Sequence, residues 1–253
     1  MQNQDYLTPS IVVVGSTNID LITYTERAPE AGETLVADRF QMGFGGKGAN
    51  QAVMASLLGA RVAMVNNLGS DSYGEMTLEN FANFGIDTSH VRRVPGSSGV
   101  APIWVEADGT NRILIVPGAN ATMTAAQAEA AVEDTPRPDV VIGQFEIPQA
   151  VTAAGFAAGR ERGATTILNP APAAPIAANL LALSDWIVPN EIEFAMLFGE
   201  EPSDNSISRI AAETGTHIVV TLGESGVALL ATDGEIVRVP APEVTAIDTT
   251  GAG

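Results

Sequence analysis

The run Gly43-Phe44-Gly45-Gly46-Lys47-Gly48-Ala49-Asn50 concentrates groups that could hold a small polar molecule. Its glycines let the backbone approach a ligand closely, Lys47 supplies an ammonium, and the Asn50 amide can both donate and accept hydrogen bonds. Lys47 is the only lysine of the chain, whose 12 basic residues stand against 30 acidic ones for a net charge of −18 over 253 residues. A sequence that otherwise uses arginine alone sets its one ammonium among glycines. The helix formers of residues 51–58, closed by Gly59, predict that these glycines stand at a helix N-terminus with exposed N–H groups. That is a place for a polar or anionic ligand.

Two familiar phosphate loops are excluded. Gly43-x-Gly45-x-x-Gly48 has the spacing of a dinucleotide fingerprint, but residues 34–41 before it are short and mixed, reading as an antiparallel or edge strand rather than a buried parallel one. Gly46-Lys47 is followed by Gly48 where a P-loop carries the Ser or Thr that meets magnesium.

A second candidate is Asp20. The β-branched run Ile11-Val12-Val13-Val14-Gly15-Ser16 predicts a strand buried on both faces, and Thr17-Asn18-Ile19-Asp20 would emerge at its carboxyl end, where open α/β sheets bind ligands. Asp20 is placed to accept hydrogen bonds from a hydroxylated ligand; an Asx turn is the competing explanation. Further strands at 62–65, 140–143, 164–168 and 186–188 alternate with helices, and three end in polar or turn residues: Gln144-Phe145-Glu146, Asn169-Pro170-Ala171-Pro172 and Pro189-Asn190-Glu191-Ile192-Glu193. This rhythm predicts a doubly wound, mainly parallel sheet with functional groups on one edge.

The elements between them are marked by local signals. Ser72-x-x-Glu75 and Thr124-x-x-Gln127 read as helix-opening capping boxes, and so does Asn190-x-x-Glu193, which by itself has a purely structural explanation. Residues 100–105 and 112–116 alternate around Asp108-Gly109-Thr110 as a hairpin, which with 34–41 predicts a small sheet covering the site. His90, in a loop after a helix, and His217, at a strand start, have no metal-ligand company. The last third predicts strands at 218–222, 227–231 and 236–239. Asn120-Ala121-Thr122 matches a glycosylation sequon and is set aside for a cytoplasmic chain.

Composition bounds the function. With no cysteine there is no disulfide and no thiolate chemistry, and the acidic balance argues against nucleic acid. No apolar run approaches a membrane span and residues 1–5 lack the features of a signal peptide, so a cytoplasmic protein is expected.

Six ordered motifs together carry a resemblance: Gly15-Ser16-x-Asn18-x-Asp20, the stretch from Gly45 to Ala52, Asn169-Pro170-Ala171-Pro172, Pro189-Asn190-Glu191-x-Glu193, Thr221-Leu222-Gly223 and Asp248-Thr249-Thr250-Gly251-Ala252-Gly253. The chain resembles the ribokinase branch of the PfkB carbohydrate kinases over its whole length. The resemblance implies one ribokinase-like unit over 1–253, a three-layer α/β/α sandwich with a small β lid from about 20–44 and 98–117. It implies an ATP-dependent sugar kinase with magnesium and potassium, most closely matched to one acting on D-ribose. Other sugar or nucleoside kinases of the family, and a non-catalytic sugar-binding protein, are the alternatives, with Asn18, Ala101, Ile103 and Asn111 as the positions that would tell acceptors apart. By the same resemblance Asn18, Asp20, Gly46, Lys47, Asn50 and Glu146 hold the sugar, while Asn190, Thr221, Gly223 and Glu224 border the nucleotide. Glu193 meets magnesium through water, Asp248 and Thr250 meet potassium, and Gly251, Ala252 and Gly253 form an anion hole. The family's general base is an aspartate directly after that loop, so a chain stopping at Gly253 is expected to be a truncated kinase that binds sugar at best. A homodimer through the lid is expected, because a small sheet with one apolar face needs a cover.

Overall fold

The computed structural model describes residues 8–231 and 233–243. In chain order its strands are β1 (Ser10–Val14), β2 (Asn18–Thr25), β3 (Arg39–Gly45), β4 (Arg61–Gly69), β5 (Asp87–Val94), β6 (Val100–Glu106), β7 (Asn111–Ile113), β8 (Val140–Gly143), β9 (Thr165–Leu168), β10 (Trp186–Ile187), β11 (His217–Thr221), β12 (Val227–Leu230) and β13 (Ile236–Val239). The helices are α1 (Lys47–Leu57), α2 (Ser72–Asn83), α3 (Ala125–Asp134), α4 (Gln149–Glu161), α5 (Ala178–Ala182), α6 (Glu191–Phe198) and α7 (Asp204–Thr214).

Nine strands form the main sheet in the order β13-β12-β11-β10-β9-β8-β1-β4-β5. The pairs from β5 across to β11 are parallel, and only β12 and β13 add antiparallel edges. Val12, Val13 and Val14 of β1 are all fully buried because the sheet is covered on both faces. Val12 and Val14 pack with Ala128, Val132, Val151 and Phe156 of α3 and α4, whereas Val13 packs with Ala49, Ala52 and Phe81 of α1 and α2. The α/β/α sandwich read from the sequence is the observed fold. Strand order reverses between β1 and β8, so the carboxyl ends of those two strands form the crevice where such folds bind ligands.

The lid is a four-stranded sheet in the order β3-β2-β6-β7. Its central strand β2 takes in Asn18 and Asp20, which the sequence reading set at the carboxyl end of β1 with the lid beginning at about residue 20. Only residues 15–17 separate the two strands. Asn18 and Asp20 share one face of β2 with Ile22 and Tyr24 by the two-residue period of a strand, and Ile22 packs with Ala101 and Ile103 in a core belonging to the lid. Ala101 and Ile103, expected to discriminate acceptors, are thus lid-core residues, and Asn111 is exposed on β7.

Smaller corrections concern strand limits and caps. The strand expected at 34–41 lies at Arg39–Gly45, carrying the first two glycines of the motif into the lid. His90 lies in β5 rather than in a loop. The cap of α2 is Asp71, not Ser72: its Oδ1 accepts from Gly74 N at 2.9 Å and from Ser98 Oγ at 2.7 Å, and its Oδ2 from Ser98 N at 2.8 Å. An acid here serves both the helix and the loop entering the lid, which a serine side chain could not span. Burial works to raise the Asp71 carboxyl, but these hydrogen bonds outweigh it and hold it below its ordinary value. Replacing Asp71 with alanine is therefore expected to cost roughly 1–2 kcal/mol at pH 7 by denaturant unfolding. The sign of the shift makes the stabilisation complete above the unfolded carboxylate range and lost as pH falls through the lower folded value, so the gap between variant and wild type narrows below about pH 4.

Candidate active site

The Gly45-Gly46-Lys47 corner is built by one carboxylate at the strand-order reversal. Glu146 Oε2, just beyond β8, accepts from Ser16 Oγ at 2.5 Å and from the Lys47 backbone N–H at 2.9 Å, joining β1, β8 and α1. Gly46 precedes the helix with φ 90°, and a Cβ there would lie 2.7 Å from Asn18 N and Thr17 Cα. Only glycine satisfies both the positive φ and that approach.

The expectation of open helix N–H groups is overturned. Lys47 N donates to Glu146, Gly48 N to Ser16 Oγ at 3.3 Å, Ala49 N to Ser16 O at 2.9 Å and Asn50 N to Gly46 O at 2.9 Å. The first three helical N–H groups, those of Lys47, Gly48 and Ala49, are taken by groups outside the helix, the fourth makes the first ordinary helical bond, and Glu146 already supplies the negative charge that the helix end favours. The ligand-facing groups of this region are side chains instead.

They line a cavity of about 680 Å³ bounded by Asp20, Phe44, Lys47, Asn50, Gln51, Met54, Asn80, Phe84 and Asn169, with Ala49 and Val53 completing its wall. Lys47, Asn50, Gln51 and Met54 recur at helical spacing on one face of α1. The sequence reading had Asp20, Lys47 and Asn50; it missed Gln51, Asn80 and Phe84, although Gln51 is legible as the residue one turn after Lys47. A chain of amides backs the cavity floor: Gln144 Nε2 donates to Gln51 Oε1 at 2.6 Å, Gln51 Nε2 to Asn169 Oδ1 at 3.4 Å, and Asn169 Nδ2 to Val188 O at 2.9 Å.

Asp20 is the electrostatic centre of the cavity. Desolvation, with a smaller contribution from the Glu146 charge, pushes its carboxyl up from 3.8 to about 6. Among the described residues no hydrogen bond or ion pair is made to its oxygens, so a desolvated acceptor faces the cavity beside Lys47. Asn18 is 5% exposed, and its Oδ1 accepts from Asn120 Nδ2 at 3.0 Å.

The residues read as nucleotide-side lie at the carboxyl ends of the neighbouring strands. Thr221 N donates to Pro189 O at 3.0 Å and Asn190 bridges to Thr221, which brings Asn190 beside the end of β11; Gly223 and Glu224 follow, both exposed. Asn190 and Glu193 form a reciprocal capping box on α6, with Asn190 Oδ1 accepting at 2.7 Å and Glu193 Oε2 at 2.9 Å. From β8 to β11 is three strand spacings, roughly 14 Å at about 4.8 Å each. Asp248, Thr250, Gly251, Ala252 and Gly253 lie outside the described residues.

The sequence matches the pfkB family carbohydrate kinase description over residues 8–253. The chain belongs to that family. It is 40% identical over 250 residues to a deoxyribokinase of Salmonella typhi, covering 96% of this chain and 81% of that enzyme. It is 36% identical over 255 residues to a ribokinase of Staphylococcus aureus, covering 98% and 83%. Its fold superposes on the Arabidopsis thaliana ribokinase solved with ribose and ATP with a TM-score of 0.87 at 32% identity, covering 97% of this chain and 82% of that one.

A family of this chemistry implies a divalent cation. Among the described residues no cluster of three or more His, Asp or Glu could hold a metal by itself, and Glu193 commits one oxygen to its helix cap. That donor set fits a hydrated Mg²⁺ carried in on phosphates, touched by one carboxylate through water, and not a dry protein cage.

The Asp20 shift yields a paired expectation. A carboxyl held above its unfolded value costs stability once pH rises through 3.8 toward 6, so Asp20→Asn should raise the melting temperature at pH 7.5, with the gain vanishing near pH 4. Ligand hydroxyls donate more strongly to the ionised form of Asp20. Affinity measured by calorimetry should accordingly weaken about tenfold between pH 7.5 and 5 and be lost in the asparagine variant.

Proposed function

We propose that the protein is an ATP-dependent sugar kinase whose acceptor is D-ribose, phosphorylated on its primary hydroxyl to ribose 5-phosphate. The observation that carries this reading is the unpartnered, desolvated Asp20 carboxylate facing a 680 Å³ cavity beside Lys47 and Asn50. A carboxylate in that setting favours a ligand rich in hydroxyl donors, and the amides and ammonium supply the complementary donors. The ribokinases among its relatives, one of them solved with ribose and ATP, support the acceptor and the nucleotide.

The chemistry asked of the chain is chiefly positioning. Asp20, Lys47 and Asn50 hold the sugar under the lid, Asn190, Thr221, Gly223 and Glu224 border the nucleotide, and the lid excludes water from the hydroxyl that attacks the γ-phosphorus in line. Magnesium, held through water near Glu193, supplies charge neutralisation on the phosphates. Potassium at Asp248 and Thr250, and an anion hole at Gly251, Ala252 and Gly253, complete the proposal. The similarity to a Salmonella typhi deoxyribokinase favours a second reading, in which 2-deoxy-D-ribose is the acceptor.

Titration calorimetry with D-ribose, 2-deoxy-D-ribose, D-fructose and a nucleoside decides among these. D-ribose is expected to bind best and Lys47→Met to weaken it about tenfold or more; tighter binding of 2-deoxy-D-ribose selects the second reading, and binding of none of the four sinks both.

The lid leaves Phe40 62% and Ile113 51% exposed, with Met42, Leu114 and Ile115 also in contact with solvent. Apolar residues gathered on one small sheet support a homodimer formed through it. Light scattering should give twice the chain mass of 26.1 kDa, and Phe40→Ser should shift that value to the monomer; a monomeric wild type refutes the dimer.

A further inference from the structure

Asn120, the residue of the sequon, is 1% exposed in a short 3-10 helix at Gly118–Thr122. All of its amide capacity is used. Its Oδ1 accepts from Thr17 N and from Asn66 Nδ2, both at 3.0 Å, and its Nδ2 donates to Thr17 O at 2.9 Å and to Asn18 Oδ1 at 3.0 Å. The orientation follows from the backbone. A peptide N–H can only donate and a carbonyl only accept, so Thr17 fixes which end of Asn120 is oxygen and which is nitrogen. The second hydrogen of that nitrogen then fixes Asn18, whose oxygen must face it.

Gly99 makes room for this contact. A Cβ there would stand 2.3 Å from both Asn120 Nδ2 and Asn18 Oδ1, so the amide pair lies directly against its α-carbon. Asn66, the other partner, also donates to Gly15 O at 2.7 Å and accepts from Thr17 Oγ1 at 3.0 Å. The three-residue joint between β1 and β2 is thereby held by buried amides along its length.

We propose that Asn120 is a positioning residue for the acceptor sugar. By occupying Asn18 Oδ1 it turns Asn18 Nδ2 to the ligand side of β2, two residues from Asp20 on the same face. Asn18 then acts as a donor only: a hydroxyl that donates to Asp20 accepts from Asn18 in return. The inference rests on reading the cavity as a sugar site.

Calorimetric titration of D-ribose into wild type, Asn120→Asp, Asn18→Ala and the double variant tests it. Asn120→Asp replaces the Nδ2 donor with an acceptor, and is expected to weaken D-ribose about tenfold, as Asn18→Ala does, with ATP affinity unchanged. In the Asn18→Ala background the same change should have no further effect, since its route to the sugar is gone. An equal weakening in both backgrounds, or none in either, overturns the proposal. If Asn120→Asp fails to fold by circular dichroism, Asn18→Asp substitutes for it: Oδ1 can still accept from Asn120 while the donor is lost, and D-ribose affinity retained in that variant refutes the assignment. Wild type that binds none of the four calorimetric ligands overturns the functional reading, and this inference with it.

Discussion

One carboxylate oxygen, Glu146 Oε2, sets what the crevice can recognise. Held by Ser16 Oγ and Lys47 N at the point where strand order reverses, it ties the two central strands to the first turn of α1 and neutralises the partial positive charge of that turn. The helix end is then closed to a free anion. Beside the larger effect of desolvation, the charge of Glu146 also raises Asp20, which shares the cavity wall with Lys47. Such a balance suits a neutral polyol, whose hydroxyls can donate to acids and accept from lysine and amides.

Much of this was legible in the residues. Val12, Val13 and Val14 announce a strand buried on both faces because no polar side chain interrupts them, and Asn190-x-x-Glu193 announces the cap it forms. Lys47 stood out because nothing else in the chain resembles it. What escaped detection was long-range. Asn18 and Asp20 read as the polar end of β1, because the partners that make them a separate strand, Gly45 and Gly43 on β3 and Ala101 on β6, are far along the sequence. Ser72 looked like a cap because the serine fits the local rule, while Asp71 is chosen for a contact with Ser98 that no local rule contains.

Asn120 belongs to the same class of hidden residue. Its sequence context suggested a surface modification, yet its side chain is buried and replaces strand pairing for Thr17, meeting both the N–H and the C=O as a neighbouring strand would. Gln127 extends the pattern: as well as standing three residues after its helix cap, it reaches Asn67 Oδ1 at 2.8 Å and Asn66 O at 3.3 Å. Buried amides concentrate here because the joint has neither helix nor sheet to satisfy its main chain, and an unpaired peptide group at this depth would cost about 1–3 kcal/mol.

The brevity of the crossings between main sheet and lid has a mechanical consequence. The chain crosses between them four times, through residues 15–17, Gly46, 95–99 and 114–117, and these passages touch: a Cβ on Gly46 would collide with Thr17, one on Gly99 with Thr17 O and one on Gly118 with Ser98 O. A cover fastened by short joints gathered at one place has no slack to flap on a tether; it can only tilt about that root. Asn18 and Asp20 stand beside that root, so a tilt of a few degrees would change their angle to the cavity before the rim of the cover had travelled far.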